Sequence, residues 1–391
     1  MTSPPNAAHL THGNHVPVLD GIRGLAIALV MFQHFFQRTN KGPGLADDLV
    51  FGLASRSWMG VDVFFVLSGF LITGILWDAK GSGGYFKNFY ARRVLRIFPA
   101  YYLVLLVFFV AVPLLGHPAL AAYVADSLPD QVWHWTYLSN FRIAWNGSWY
   151  DHHFPNVFWS LAIEEQFYLL WPLVVCVCNR RALNITCGVL LLVSVSLRIA
   201  LAVDPNVNWI SSFVLTATRM DGLVVGAFLA LLLRSEINHI RTRKRFVWIA
   251  VLSFLCMASL TVWRPEDWRD MPAQSLRFLF VAILGGAILW LSVTGASGGL
   301  LQRAFSNSWM RVLGKYSYAL YLWHGPVDSM ARSIYDPNGA SLIAGSRLPA
   351  QLLFVVLATV MSLLVSWLSW QLVEKHFLRL KTTFANKHSQ A

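Results

Sequence analysis

Charge is scarce in this 391-residue sequence. Asp, Glu, Lys and Arg together make up 13% of it, against ~25% in ordinary soluble domains. With 56% hydrophobic residues and a mean hydropathy of +0.52, that scarcity excludes a large soluble core and indicates a polytopic membrane protein. Acidic residues are scarcer than basic ones, 19 against 31, which leaves a net charge of +12. In a membrane chain such an excess encodes orientation, so nucleic acid is not an expected partner.

Other absences narrow the chemistry. The four cysteines, Cys176, Cys178, Cys187 and Cys256, lie in or beside apolar runs, and Cys176-Val-Cys178 lacks the spacing of a zinc knuckle. Buried free thiols and no metal are expected. No Gly-rich phosphate loop, H-E-x-x-H or G-x-S-x-G stands at a usable position, which argues against kinase, zincin and hydrolase. No basic n-region precedes the first apolar run, so a removed signal peptide is not expected. Residues 1–16 hold His9, His12 and His15 among Pro4, Pro5 and Gly13. They read as a disordered tail, with helical metal ligation as the alternative.

What is present is a series of apolar runs, each near the ~20 residues that a spanning helix needs. Ten are expected: 18–36, 59–77, 97–115, 159–178, 183–202, 212–233, 246–263, 276–294, 312–331 and 349–372. The run 119–140 carries Asp126, Pro129 and Asp130, so it is expected to be interfacial or re-entrant. With the N-terminus inside, the inside segments hold 18 of the 31 Lys and Arg and the outside loops 8, which places both termini in the cytoplasm.

Several runs hold ionisable residues. Such residues cost roughly 2.5–3.5 kcal/mol each at a helix centre and are functional candidates by default. Arg23 and His34 stand eleven residues apart in the first run, ~16 Å and three turns along one stripe. Asp62 begins the second run, as a candidate outer mouth of a cavity. Arg93 and Arg96 are three apart in Phe89-Tyr-Ala-Arg-Arg-Val-Leu-Arg-Ile-Phe-Pro99. On a helix they share a face and suit either a forked phosphate clamp or a positive-inside anchor. Glu164 and Glu165 lie in Trp159-Ser-Leu-Ala-Ile-Glu-Glu-Gln-Phe-Tyr168, Arg219 and Asp221 in the sixth run, and Lys315, Tyr318 and His324 in the ninth. By alternation of direction, His34, Asp62 and Glu164 fall in the outer half and Arg219, Asp221 and His324 nearer the middle. Arg23, Arg93, Arg96 and Lys315 fall toward the cytoplasm. Arg219 and Asp221 are read equally as helix-to-helix glue. Asp151-His152-His153 could hold a metal, but adjacent residues rarely converge on one ion, so a loop contact is preferred.

An anion entering from the cytoplasm would meet the arginines, and its tail could run along the first helix to His34. A histidine held by a carboxylate is a general base. A hydroxyl activated by His34 with Glu164, attacking a thioester, therefore makes acyl transfer coherent.

These residues fall into six ordered motifs. They are Leu19-Asp-Gly-Ile-Arg-Gly24 with His34, Gly60-Val-Asp-Val-Phe-Phe with Ser68-Gly-Phe, and Arg92-Arg-Val-Leu-Arg-Ile-Phe-Pro. Trp159-Ser-Leu with Glu164-Glu-Gln-Phe-Tyr, Arg219-Met-Asp-Gly, and Gly314-Lys-Tyr-Ser-Tyr with His324 complete the set. Across residues 16–378 the chain resembles the acyltransferase family three integral-membrane O-acyltransferases of bacteria. The resemblance implies an all-α, ten-helix membrane domain in the bacterial cytoplasmic (inner) membrane. It would span 17–378, followed by a short basic cytoplasmic tail at 379–391. It implies acetyl-CoA or another acyl-CoA as co-substrate with no permanently bound cofactor. The acceptor would be a sugar hydroxyl of a cell-surface glycan, a lipid-linked saccharide or a glycosylated natural product. His34 corresponds to the family's essential histidine, Arg23 to its partner, Arg93 and Arg96 to the paired donor-binding arginines, and Glu164 to the recurrent acid. Lys315 is assigned to the donor side; Asp62, Arg219, Asp221, Tyr318 and His324 to the acceptor or cavity. Glu374 is followed by Lys375-His376 where many relatives have Glu-x-Pro. The nineteen residues after 372 are too few for the esterase-like domain some relatives carry. The expectation is a membrane domain that works alone or hands its acyl group to a separate extracytoplasmic partner. Acyl transfer either passes His34 by or stops on it as an acyl-histidine. The rival reading is a transporter of an anionic saccharide- or lipid-linked substrate, although the two halves show no inverted repeat.

Overall fold

The computed structural model describes residues 16–151, 153–237, 239–264, 270–296 and 298–384, and among these the chain is helical, with one isolated bridge between Ile343 and Ser346. Ten long helices form the bundle: α1 Pro17–Gln37, α2 Met59–Asp78, α3 Tyr85–Leu106, α4 Phe158–Val177, α5 Arg180–Val203, α6 Met220–Leu233, α7 His239–Trp263, α8 Met271–Val293, α9 Ser308–Ile334 and α10 Leu348–Ser369. Eight helical segments are long and apolar enough to cross a membrane. Of the two remaining expected spans, α6 is short, with 14 residues, and α9 carries Arg311, Lys315, Asp328 and Arg332 within its 27. Large apolar side chains stand exposed on the outer faces, among them Leu169, Leu170 and Leu173 of α4 and Leu252, Phe254 and Leu255 of α7. That is the pattern of a multi-pass membrane protein, whose outer face is solvated by lipid.

The segment 119–140 does not add a span. It folds into the short pieces Pro118–Val124, Leu128–Asp130 and Gln131–Trp135, and Pro118 and Pro129 start two of them, where the missing N–H leaves no hydrogen bond unmade. The third expected span begins earlier than its apolar run. α3 starts at Tyr85, so Arg93 and Arg96 stand on it and not in a loop. It then continues through a π-helical turn at Val107–Ala111 to Leu114.

Polar side chains tie the loops to the helix ends. At one end Arg234 pairs with Asp78 at 2.5 Å, Arg180 donates to the Arg234 carbonyl, and Lys80 donates to the Val175 and Cys178 carbonyls. At the other end Arg38 pairs with Asp328 at 2.8 Å, and the Arg347 amide donates to Asp47. The cysteines are free, but only Cys187 is buried; Cys176 and Cys256 are exposed because they point off the apolar outside of α4 and α7. The expected N-terminal tail lies outside the described residues except for Val16. Residues 379–384 of the expected C-terminal tail are helical, following Lys375–Leu380; 385–391 lie outside the described residues.

Two helix pairs set the geometry. α1 and α9 approach backbone to backbone, so that a Cβ on Gly314 would stand 1.8 Å from the Asp20 carbonyl oxygen, and one on Gly24 would stand 2.0 Å from that of Met310. Small residues permit such approach in lipid, where packing and polar contacts drive helix association. α2 and α6 meet in the same way, with Gly69 against the Leu223 carbonyl and Gly226 against that of Val66. Gly314→Ala is expected to cost about 1–3 kcal/mol by overpacking, read as a lower Tm and folded yield in detergent. Gly83→Ala, whose Cβ would meet nothing within 4 Å, is expected to leave both unchanged.

Candidate active site

The α1–α9 pair brings two histidines together. His34 Nδ1 lies 2.8 Å from His324 Nε2, with the rings stacked at 5.0 Å and 12°. His324 is fully buried, and its Nδ1 lies 2.8 Å from the Tyr321 carbonyl and 3.1 Å from that of Leu320. A carbonyl only accepts, so His324 Nδ1 carries a proton. In the neutral ring its Nε2 then holds a lone pair and accepts from His34 Nδ1–H. His34 is thereby set as the tautomer whose basic nitrogen is Nε2. Beyond the dyad, Asp328 pairs with Arg38 at 2.8 Å and Arg332 at 2.9 Å, and Arg332 donates to the Phe35 and Arg38 carbonyls at the end of α1.

Two cavities flank this helix pair and share Val61 and Tyr321 in their walls. The inner one, about 100 Å³, is lined by Arg23, Arg93, Arg96, Glu164, Ser68 and Tyr318 among others. Arg23 pairs with Asp20 one turn back at 3.2 Å. Among the described residues Arg93 and Arg96 take part in no ion pair, and the buried Arg93 Nε has no hydrogen-bond partner. The outer cavity, about 430 Å³, is lined by His34, Gln33, Gln37, Trp149, Trp159 and Arg219 among others. Tyr321 forms the partition, sharing a 2.5 Å hydrogen bond with Ser160 and donating to the Val157 carbonyl.

Several expected roles are corrected. Glu164 does not hold His34: its Oε1 accepts from Ser68 and its Oε2 from Tyr168, and it lines the inner cavity with the arginines. Its place on α4, packed on α2 and facing α3, sets that. Tyr318 likewise lines the inner cavity, donating to the Ile97 carbonyl. Lys315 is exposed and lies over the Trp370 and Tyr316 rings, at 4.4 and 5.1 Å, away from the cavity, because it points ~100° around α9 from Gly314. Asp62 is no cavity mouth. It is fully buried and accepts from Arg219 Nη2 at 2.9 Å. Asp221 accepts from Arg198 at 2.8 Å. Arg198, with both partners 0% exposed, was not singled out by sequence, although an arginine amid Ser196-Leu-Arg198-Ile was a signal. His152 lies outside the described residues. Among the described residues no group of three or more His, Cys, Asp or Glu could hold a metal ion.

Sequence reasoning also missed Lys381. It follows the tenth helix and its π-helical turn Trp370–Glu374, which turn the chain onto α3. There burial and the neighbouring Arg96, Arg93, Arg92 and Arg23 push its ammonium down to about 7.

Residues 16–371 match the family model described as an acyltransferase domain. The chain belongs to this family. Among curated relatives, the acyltransferase chain is 31% identical over 342 residues to the peptidoglycan O-acetyltransferase OatA of Listeria monocytogenes, covering 82% of this chain and 51% of the relative. It is 29% identical over 386 residues to the putative peptidoglycan O-acetyltransferase YrhL of Bacillus subtilis, covering 93% and 55%. It is 28% identical over 342 residues to the O-acetyltransferase OatA of Staphylococcus aureus, covering 82% and 52%. The chain thus spans about half the length of the curated relatives it matches. No solved structure matches it significantly.

Arg198 and Asp221 serve the bundle and not the cavities. Arg198→Met is expected to cost about 3–5 kcal/mol by stranding a buried carboxylate. The double variant Arg198→Met with Asp221→Leu should recover most of that loss in thermal-shift measurements, and a double variant as unstable as the single would refute the assignment.

Proposed function

We propose that this protein is an O-acetyltransferase of the bacterial cytoplasmic membrane that moves an acetyl group from acetyl-CoA to a hydroxyl of a cell-surface glycan. The observation that carries the reading is the pair of adjoining cavities: one is lined by Arg23, Arg93 and Arg96 with the single carboxylate Glu164, the other by His34. This excess of cations at the end of a membrane bundle where Lys80, Arg180 and Arg234 also gather suits the phosphates of a donor entering from the cytoplasm. Both termini are taken as cytoplasmic on the same charge count. The relatives, named as O-acetyltransferases and in one case as a peptidoglycan O-acetyltransferase, support acetyl as the group and a wall glycan as the acceptor.

In this reading the donor phosphates lie against Arg93, Arg96 and Lys381, and the pantetheine arm runs through the inner cavity to Tyr321. His34 Nε2 takes the proton of the acceptor hydroxyl. The oxygen attacks the thioester carbonyl, an ester C–O bond forms, the C–S bond breaks, and the departing thiolate takes the proton back from His34. His324 acts on His34 alone, by holding its tautomer and bearing part of the charge that develops on it. Glu164, with Ser68 and Tyr168, balances the arginines of the inner cavity. A transporter would need the same cavities without chemistry, and no observation favours it.

His34→Ala is expected to abolish transfer of labelled acetyl to glycan. His324→Gln should lower kcat about 10²-fold with the KM for acetyl-CoA unchanged; full kcat in a well-folded His324→Gln would exclude the relay. Lys381 gives a pH signature. Its charged form binds phosphate and is lost as pH rises through about 7, so affinity for acetyl-CoA should fall between about pH 6 and about pH 8. Lys381→Met should flatten that dependence and bind the donor more weakly at the acid end, measured by titration calorimetry.

A further inference from the structure

We propose that the outer cavity is an acceptor site selective for an uncharged saccharide, which Arg219 recognises through a neutral oxygen such as an acetamido carbonyl. This rests on the glycan acceptor proposed above and adds which charge class of sugar the site admits.

Arg219 is 1% exposed, lines the outer cavity, and spends only Nη2 on Asp62. Its Nε and Nη1 have no hydrogen-bond partner. A guanidinium held this way is a built donor: the Phe278 ring lies 4.0 Å from its centre, with Phe213 at 5.2 Å and Trp159 at 5.6 Å. These contacts fix the plane of the fork.

The charge of the ligand follows from Arg219's neighbours. Arg219 is balanced by Asp62 at 2.9 Å, and the next pair, Arg198 with Asp221, is balanced too. An anion docked on Arg219 would stand beside Asp62 as well, and the attraction and repulsion would nearly cancel. The desolvation cost of the anion would remain uncompensated. Asp151, the acid that lines the cavity itself, adds repulsion. A carbonyl or hydroxyl oxygen accepts the free N–H groups and brings no charge, so it satisfies the site where a carboxylate does not.

The rest of the wall suits a sugar. Trp58, Trp149, Trp159 and Trp209 line it, and indole rings are of the kind that cover the C–H face of a pyranose. About 430 Å³ falls within the ~300–1,000 Å³ of small-ligand sites. Gln33 and Gln37 stand one turn apart on α1, on either side of His34, and both line the cavity. Primary amides donate and accept, as a row of hydroxyls does. A hydroxyl held by these amides lies beside the histidine proposed to deprotonate it.

The test uses the purified full-length protein in detergent, with tryptophan fluorescence titrated by three methyl β-glycosides: N-acetylglucosaminide, glucoside and glucuronide. The acetamido sugar is expected to bind tightest, the glucoside severalfold weaker and the glucuronide at least about tenfold weaker. Asp62→Asn with Arg219→Gln removes both charges together, so no buried ion is stranded, and should erase the preference for the acetamido sugar. Gln37→Ala, at an exposed position, should weaken all three severalfold. Glucuronide binding as tightly as the neutral sugars, no saturable glycoside binding, or an unchanged preference in the double variant would each overturn the proposal. Calorimetry with acetyl-CoA on the same samples separates this from the function itself. Donor binding and acetyl transfer that persist while sugar selectivity fails would sink only the acceptor inference; absence of both in the wild type would sink the enzyme reading.

Discussion

The contact on which the site depends is the backbone approach of α1 to α9. Gly24 and Gly314 bring the helices together at one end. Asp328, Arg38 and Arg332 clamp them at the other, where Arg332 also satisfies carbonyls that the end of α1 leaves open. Between these anchors the two imidazoles meet among the core side chains Val30, Met31 and Phe35. The His34–His324 hydrogen bond at 2.8 Å is a consequence of that spacing. A slip of either helix by one residue would turn one ring away by ~100°.

Buried charge is divided between structural and functional tasks by whether it is paired. Asp62 with Arg219 and Asp221 with Arg198 form two balanced pairs across α2, α5 and α6. Such pairs add little net stability, because desolvation offsets attraction, yet removing one partner is costly. They therefore fix register. Among the described residues Arg93, Arg96 and Lys381 form no such ion pair, and the cavity holds three arginines to the one carboxylate of Glu164. Arg219 belongs to both groups, since one nitrogen closes a structural pair, two have no hydrogen-bond partner, and the residue lines the outer cavity.

Much of this was legible in the chain. Ten apolar runs correspond to ten helices, and the buried ionisable residues did mark the interior, because burial of charge without a role is expensive in lipid. The residues that failed were those whose partners were assigned by depth. Glu164 was matched to His34 because both fall in the outer half by counting residues along their helices. α4 instead faces α2 and α3, so its carboxylate meets Ser68 and Tyr168. Lys315 was grouped with the donor arginines on the same reasoning, and its direction around α9 carries it out to Trp370.

By itself the sequence determined the fold class, the membrane setting, the positions of the helices and the identity of the histidine on the first of them. These follow from local composition and from period, which a linear chain displays directly. The partner of that histidine, the separation of the arginines from it into a second cavity, and the placement of Lys381 beside them were decided only by tertiary structure. Each depends on the rotation of one helix against another. That rotation is set where glycines let backbones touch, and a residue 290 positions away then becomes a hydrogen-bond partner.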